Sequence, residues 1–242
     1  MTQASIKTIA FDLDGTLTQH KTKLGTQNRY ILDQLGQRYQ LIMVGAGTCQ
    51  RIWNQMDQYP IDIIGSYGMQ FAAYDKKQQT LVLQWDEHVQ VDREEVLRRA
   101  EMIRKRFGLY NYVGETLEFH STGALTFPVL GTEANIEDKL AYDPDRSKRR
   151  MMYPFVKELF FDYNVMIGGS SSFDIVPSKY GKLNAIRRYL AVNGMIEQEI
   201  VYCGDDYCEG GNDYDVYVGG IPFIKVDSYE ELGKVLQENG LL

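Results

Sequence analysis

The run Phe11-Asp12-Leu13-Asp14-Gly15-Thr16-Leu17-Thr18 holds the residue types best able to do chemistry in this chain. Two carboxylates this close repel each other unless a cation or a proton lies between them. Such an oxygen-donor pair suits a hard ion such as Mg2+. It also supplies a nucleophile, Asp12, and a neighbouring acid/base group, Asp14. Gly15 frees the backbone to approach a phosphate, and Thr16 offers a hydroxyl hydrogen bond. A lone aspartate in a turn commonly does no more than cap a helix. The whole pattern, placed directly after the apolar Ile9-Ala10-Phe11, argues instead for a reaction centre. A second acidic stretch, Gly204-Asp205-Asp206 running on to Gly210-Gly211-Asn212-Asp213, follows the apolar residues 200–203. Taken alone it reads as a surface loop. Its place after a second buried strand makes it a partner for the first stretch.

These residues need a scaffold, and the hydrophobic periodicity describes one. Residues 7–11, 41–44 and 61–64 read as short buried strands. Between them lies a helical pattern over 26–39 and a second helix after Thr48, the candidate N-cap. Residues 70–75 and 80–85 form a hairpin, and a helix is predicted over 92–107. Strands at 117–121 and 124–130, a long charged helix over 143–161 and strands at 164–168 and 172–176 come next. A helix over 181–192, a strand at 200–203, short strands at 215–219 and 222–226 and a closing helix over 229–237 complete the reading. Strands alternating with helices indicate a doubly wound, Rossmann-like parallel sheet. The fold class is therefore α/β, with a core over 1–82 plus 178–242 and an inserted α+β cap domain over 83–177.

Composition narrows the function classes. The chain has 242 residues and a formal net charge of −7, which argues against a nucleic-acid partner. It shows neither an apolar run long enough to span a membrane nor a secretory leader, so a cytoplasmic setting is expected. Its three cysteines form no metal or redox spacing.

With these motifs in place, the chain resembles the haloacid dehalogenase (HAD) superfamily of aspartate-dependent phosphohydrolases and phosphomutases. The resemblance implies that Asp12 attacks phosphorus to form an aspartyl-phosphate while Asp14 handles the leaving-group proton. It also implies that Mg2+ is held by the Asp12 side chain and the Asp14 carbonyl, with Asp205, Asn212 and Asp213 as further ligands. Lys182, after Lys179-Tyr180-Gly181, matches the lysine that neutralises charge around the phosphoryl group. Where the family presents a serine or threonine after the second strand, this chain reads Val44-Gly45-Ala46-Gly47-Thr48. Gly47 falls at the expected place and Thr48 is the hydroxyl nearest to it. Thr48 is equally well explained as an N-cap, and the backbone N–H groups of the glycine-rich turn offer another means of binding phosphate.

A closer likeness, to eukaryotic-type phosphomannomutases, rests on Leu117-Glu118-Phe119-His120, residues 168–177 and the 210–215 run. It implies that Ser172 and Asp174 contact a sugar phosphate. The arginines with which those enzymes grip a second phosphate are replaced here by His120, Thr132 and Lys139, and Lys21 stands where another arginine is found. The expectation is therefore a Mg2+-dependent phosphatase of a small phosphorylated metabolite of the sugar-phosphate type. A phosphosugar mutase is the alternative, and a catalytically inactive metabolite-binding protein is the second alternative. The chain is expected to be a monomer or a cap-mediated homodimer.

Overall fold

The computed structural model describes residues 5–242. From the amino end come β1 (Thr8–Phe11), α1 (Thr26–Leu35), β2 (Gln40–Val44), α2 (Cys49–Gln55), β3 (Asp62–Gly65), β4 (Gln70–Asp75) and β5 (Thr80–Asp86). The middle of the chain forms α3 (Arg93–Phe107), β6 (Glu118–Phe119), β7 (Leu125–Pro128), α4 (Ile136–Tyr142), α5 (Ser147–Leu159), β8 (Tyr163–Gly168) and β9 (Ser172–Pro177). It closes with α6 (Lys182–Val192), β10 (Ile200–Gly204), α7 (Tyr214–Val218), β11 (Phe223–Lys225) and α8 (Leu232–Glu238). These elements divide into two units.

The first unit contains the residues up to Glu87 together with Lys182–Cys208 and Asp213–Leu242. Its sheet has the order β11-β10-β1-β2-β3-β4-β5, parallel from β11 to β3 and antiparallel across β4 and β5. Apolar residues on successive strand positions face opposite sides. Ile9, Phe11, Met43 and Ile63 pack with Leu32 of α1, Trp53 of α2 and Leu236 of α8. Ala10, Ile42, Val44 and Ile64 pack with Ile186 and Leu190 of α6. Because both faces are covered, the strands read as continuous apolar runs. The chain winds from β1 towards β3 on one side and from β10 towards β11 on the other, so the strand order reverses beside β1. A crevice at the carboxyl ends of such strands is where open α/β sheets bind ligands.

The second unit contains His88–Gly181 and the short segment Glu209–Asn212. Its antiparallel sheet has the order β6-β7-β9-β8. Leu125, Phe127, Phe173 and Ile175 face Val96, Ala100 and Ile103 of α3 and Met152 and Val156 of α5. Two arginines are buried in this unit. Arg104 donates to the carbonyls of Leu109, Pro128 and Val129. Arg149 pairs with Asp143 at 2.8 Å and donates to the carbonyls of Gly168, Gly169 and Ser172. Burial pushes the Asp143 carboxyl up, but hydrogen bonds from Arg149 and from the Lys148 N–H outweigh it and hold the group below its usual value.

Two sequence expectations are corrected. The helix expected over 143–161 begins only at Ser147, because Asp143 leaves the helical path to accept from the Lys148 and Arg149 N–H groups. The helix α4 before it lacked a buried face to signal it. Of residues 215–219, expected as a strand, 215–218 belong instead to the helical turn α7 and Gly219 is its C-cap. Their β-branched and aromatic residues favour strands, but local geometry prevails: the Asp213 N–H donates to the Asp206 carbonyl and the Tyr217 N–H to the Asp213 carbonyl, closing a turn that buries Val216.

Candidate active site

Asp12 follows the last residue of β1, in register with Cys203 on β10 and Met43 on β2 through Phe11. Its N–H donates to the Cys203 carbonyl, and the residue is 5% exposed. Lys182, the first residue of α6, places Nζ 2.5 Å from Asp12 Oδ1 and 2.7 Å from Asp213 Oδ1. The lysine side chain is fully buried. Asp213 is also the acceptor for the Tyr202 hydroxyl at 2.5 Å and the Asp206 N–H at 3.0 Å. Gly204 permits this approach, since a Cβ there would lie 2.5 Å from Asp213 Oδ2.

The electrostatics follow from burial. Desolvation pushes the Asp12 carboxyl well up; Lys182 pulls it down, while Asp213 and Asp205 push it further up. Burial alone would lower the Lys182 ammonium, but Asp12 and Asp213 hold it above its ordinary value. Tyr202 is pushed well up by burial and by Asp213, so its hydroxyl stays protonated and donates. One buried cation thus links two carboxylates, and a third carboxylate, Asp205, lies within the same cluster.

Carboxylate oxygens of Asp12, Asp205 and Asp213 lie within 4.8 Å of one another. This hard, oxygen-only donor set fits Mg2+. Asp213 already serves Lys182, Tyr202 and Asp206, which makes Asp12 and Asp205 the better placed ligands. Adding millimolar Mg2+ to metal-stripped protein is expected to raise the melting temperature, because binding favours the folded state. Asp205→Asn should remove most of that rise; an unchanged melting temperature in the parent would count against the cluster as a metal centre.

The other expected residues have varied placements. Gly15 has φ 101°, and a Cβ there would lie 2.5 Å from Asp205 Oδ2, so the glycine makes room for a carboxylate. Thr16 is fully buried and donates to Asp205 Oδ1 at 3.2 Å, so it orients that carboxylate and leaves no hydroxyl for a phosphate. Asp14 accepts at 2.7 Å from the Lys21 N–H and from Gln55 Nε2. The contact made by Lys21 is therefore through its backbone. Thr48 caps α2 by accepting from the Arg51 N–H. Asn212 belongs with the second unit, where the neighbouring Gly210 carbonyl accepts from the Ile167 N–H.

In the second unit, His120, Thr126 and Asp174 form a chain on the sheet face opposite its helices. His120 Nε2 is 2.9 Å from Thr126 Oγ1, which donates to Asp174 Oδ1 at 3.4 Å. The Ser172 hydroxyl donates to the Gly168 carbonyl, and the close approach of Asp174 requires glycine at 168, where a Cβ would lie 2.4 Å from the carboxylate. Lys139 donates to the Thr132 carbonyl, while the Thr132 hydroxyl accepts from the Glu115 N–H.

Sequence reasoning missed Tyr202, Gln55, Thr126 and Arg149. A tyrosine inside an apolar strand needs a partner for its hydroxyl, a signal that could have flagged Tyr202. Gln55, Thr126 and Arg149 carried no such mark.

Comparison with known proteins bears on what this arrangement belongs to. A profile of the family described as eukaryotic phosphomannomutase matches residues 29–225. The chain belongs to the eukaryotic phosphomannomutase family. The matched interval begins after Asp12. The phosphomannomutase of Schizosaccharomyces pombe is 25% identical over 240 residues, covering 87% of this chain and 84% of its own. That of Encephalitozoon cuniculi is 24% identical, covering 96% and 94%. The fold is that of the HAD superfamily. A haloacid dehalogenase-like hydrolase from B. subtilis superposes with a TM-score of 0.67 at 14% identity, covering 98% of this chain and all of its own. A truncated Plasmodium falciparum IMP-nucleotidase gives 0.68 at 13%, covering 98% and 69%. Among the described residues, no helix is long and apolar enough to cross a membrane.

Proposed function

We propose that this chain is a phosphosugar mutase that moves a phosphoryl group through an aspartyl-phosphate on Asp12. The observation that carries this reading is the buried Lys182 ammonium, 2.5 Å from Asp12 Oδ1 at the carboxyl end of β1. It works against the desolvation that raises the Asp12 carboxyl and so favours the ionised, nucleophilic form. The near full-length similarity to phosphomannomutases supports a sugar hydroxyl over water as the final acceptor, so the mutase alternative is preferred to the phosphatase expected from the sequence.

In the proposed cycle, an Asp12 oxygen forms a bond to phosphorus as the phosphorus–oxygen bond to the sugar breaks. The leaving oxygen takes its proton from Asp14. A second hydroxyl of the sugar then attacks the aspartyl-phosphate, gives its proton back to Asp14 and restores the Asp12 carboxylate. Lys182 offsets the charge gathered at Asp12 throughout, and Asp213 and Tyr202 hold the lysine in place. Mg2+, held by Asp12 and Asp205, would supply charge neutralisation at the phosphoryl oxygens. Ser172, Asp174 and His120, in the second unit, carry polar groups of the kind that hydrogen-bond sugar hydroxyls.

One observation favours the phosphatase as a second reading. At the positions where the resemblance expects arginines, Lys139 and Thr132 are engaged with backbone groups of their own unit and His120 is engaged with Thr126, so none of the three is a guanidinium suited to grip a second phosphate. Mannose 1-phosphate with a hexose bisphosphate activator and Mg2+ separates the readings. Isomerisation outrunning phosphate release supports the mutase; the reverse overturns it in favour of hydrolysis. Ligand-raised melting temperature with neither activity would favour the inactive binding protein.

A further inference from the structure

The loop after β2, residues 45–48, neighbours Asp12 in sheet order, because β2 pairs directly with β1. Its conformation is held from one side. The Ser66 N–H donates to the Gly47 carbonyl at 2.7 Å and the Tyr67 N–H to the Gly45 carbonyl at 3.1 Å. Ser66 and Tyr67 are buried and left-handed, with φ of 48° and 55°, a costly arrangement for two consecutive non-glycine residues. With its carbonyls tied back, the loop leaves the N–H groups of Ala46 and Gly47 without an acceptor among the described residues.

Gly47 itself has no backbone need to be glycine, since its φ lies outside the left-handed region. The need is for space. A Cβ at this position would lie 2.3 Å from Arg51 Nε, 2.7 Å from Nη2 and 2.9 Å from Cζ. The guanidinium of Arg51 therefore lies over the loop, in the volume that a side chain at 47 would fill. Arg51 is exposed, and its guanidinium has no hydrogen bond or ion pair among the described residues. An unpartnered guanidinium beside two unpartnered N–H groups is a ready receptor for a tetrahedral oxyanion.

We infer that Arg51, with the N–H groups of Ala46 and Gly47, binds the non-bridging oxygens of the phosphoryl group, the task for which no hydroxyl side chain is available at position 47. This rests on the phosphoryl-transfer reading above and adds to it the residue that grips the transferred group. Arg51 would then touch substrate, and Gly47 would serve by leaving it room.

The test titrates inorganic phosphate into the full chain with Mg2+, comparing the parent with Arg51→Ala, Gly47→Ala and the double variant. Arg51→Ala is expected to weaken phosphate binding by about tenfold or more, as loss of a charge-assisted bidentate contact does. Gly47→Ala should weaken binding in the parent by displacing Arg51, yet change little once Arg51 is alanine, a non-additivity that a merely solvated arginine would not produce. Phosphate affinity of Arg51→Ala within twofold of the parent, or absence of phosphate binding by the parent, overturns the inference. Turnover of hexose phosphates reports separately on the proposed function. If the parent lacks turnover but its phosphate binding depends on Arg51, the mutase reading falls and the Arg51 assignment stands.

Discussion

Asp12→Asn is expected to abolish phosphoryl transfer, reducing turnover by roughly a thousandfold or more, because an amide is no nucleophile towards phosphorus. The substitution conserves shape, and the amide oxygen can still accept from Lys182, which lies 2.5 Å from the carboxylate it replaces. It also removes one negative charge from a cluster in which burial, Asp213 and Asp205 all oppose ionisation of Asp12. The metal-free variant should therefore be at least as heat-stable as the parent, and loss of activity cannot be attributed to unfolding. Steady-state rates on a phosphorylated sugar and thermal melts in chelator check the two halves. Near-normal turnover would remove the covalent mechanism.

Lys182→Met is expected to damage both activity and stability. The lysine is buried with two carboxylate partners, and methionine fills its volume without its charge. Removing one member of a buried ionic cluster typically costs about 3–5 kcal/mol, since the groups left behind are desolvated and uncompensated. For a chain of this size that corresponds to a fall of roughly 10 °C in melting temperature. The pH dependence has a definite sign. Without the ammonium, Asp12, already raised by burial, takes up a proton more readily in the folded than in the unfolded state. A carboxyl with a raised folded pKa contributes stability below its unfolded pKa and loses it as pH rises through the folded one. The deficit relative to the parent should thus be larger at pH 8 than at pH 5, measured by denaturant melts at both. Adding Asp213→Asn should recover part of the loss; a Lys182→Met protein that melts like the parent at every pH would contradict the central role given to this ion pair.

The two experiments separate chemistry from scaffolding. In the proposed mechanism Asp12 serves the reaction at a charge cost to the fold, whereas Lys182 serves both. That asymmetry comes from charge: one ammonium pairs with two carboxylates of a cluster of three, so removing an anion relieves the pocket and removing the cation aggravates it.

Local pattern was sufficient to place Asp12 and Asp205. Each follows a short apolar run, and in an open α/β sheet the ends of such runs converge on one edge. The covered sheet made those runs visible, since strands buried on both faces cannot carry polar residues midway. Periodicity likewise revealed the helices with a buried stripe, such as α3 and α6, and the inserted second sheet. Where no stripe existed, as in α4, or where propensity opposed a closing turn, as in α7, the sequence misled. Tertiary structure alone decided the partners. Lys182 reaches Asp12 across 170 residues of chain, a distance over which no periodicity carries information. The Thr16 hydroxyl turns to Asp205 and the Asp14 carboxylate to Gln55, choices set by packing. Arg51 comes to lie over Gly47 because a glycine leaves volume that only a folded neighbour can fill. Residue type and spacing thus determined which groups could react; the fold decided which of them meet, because hydrogen bonds and ion pairs form between atoms that are close in space, whatever their separation along the chain.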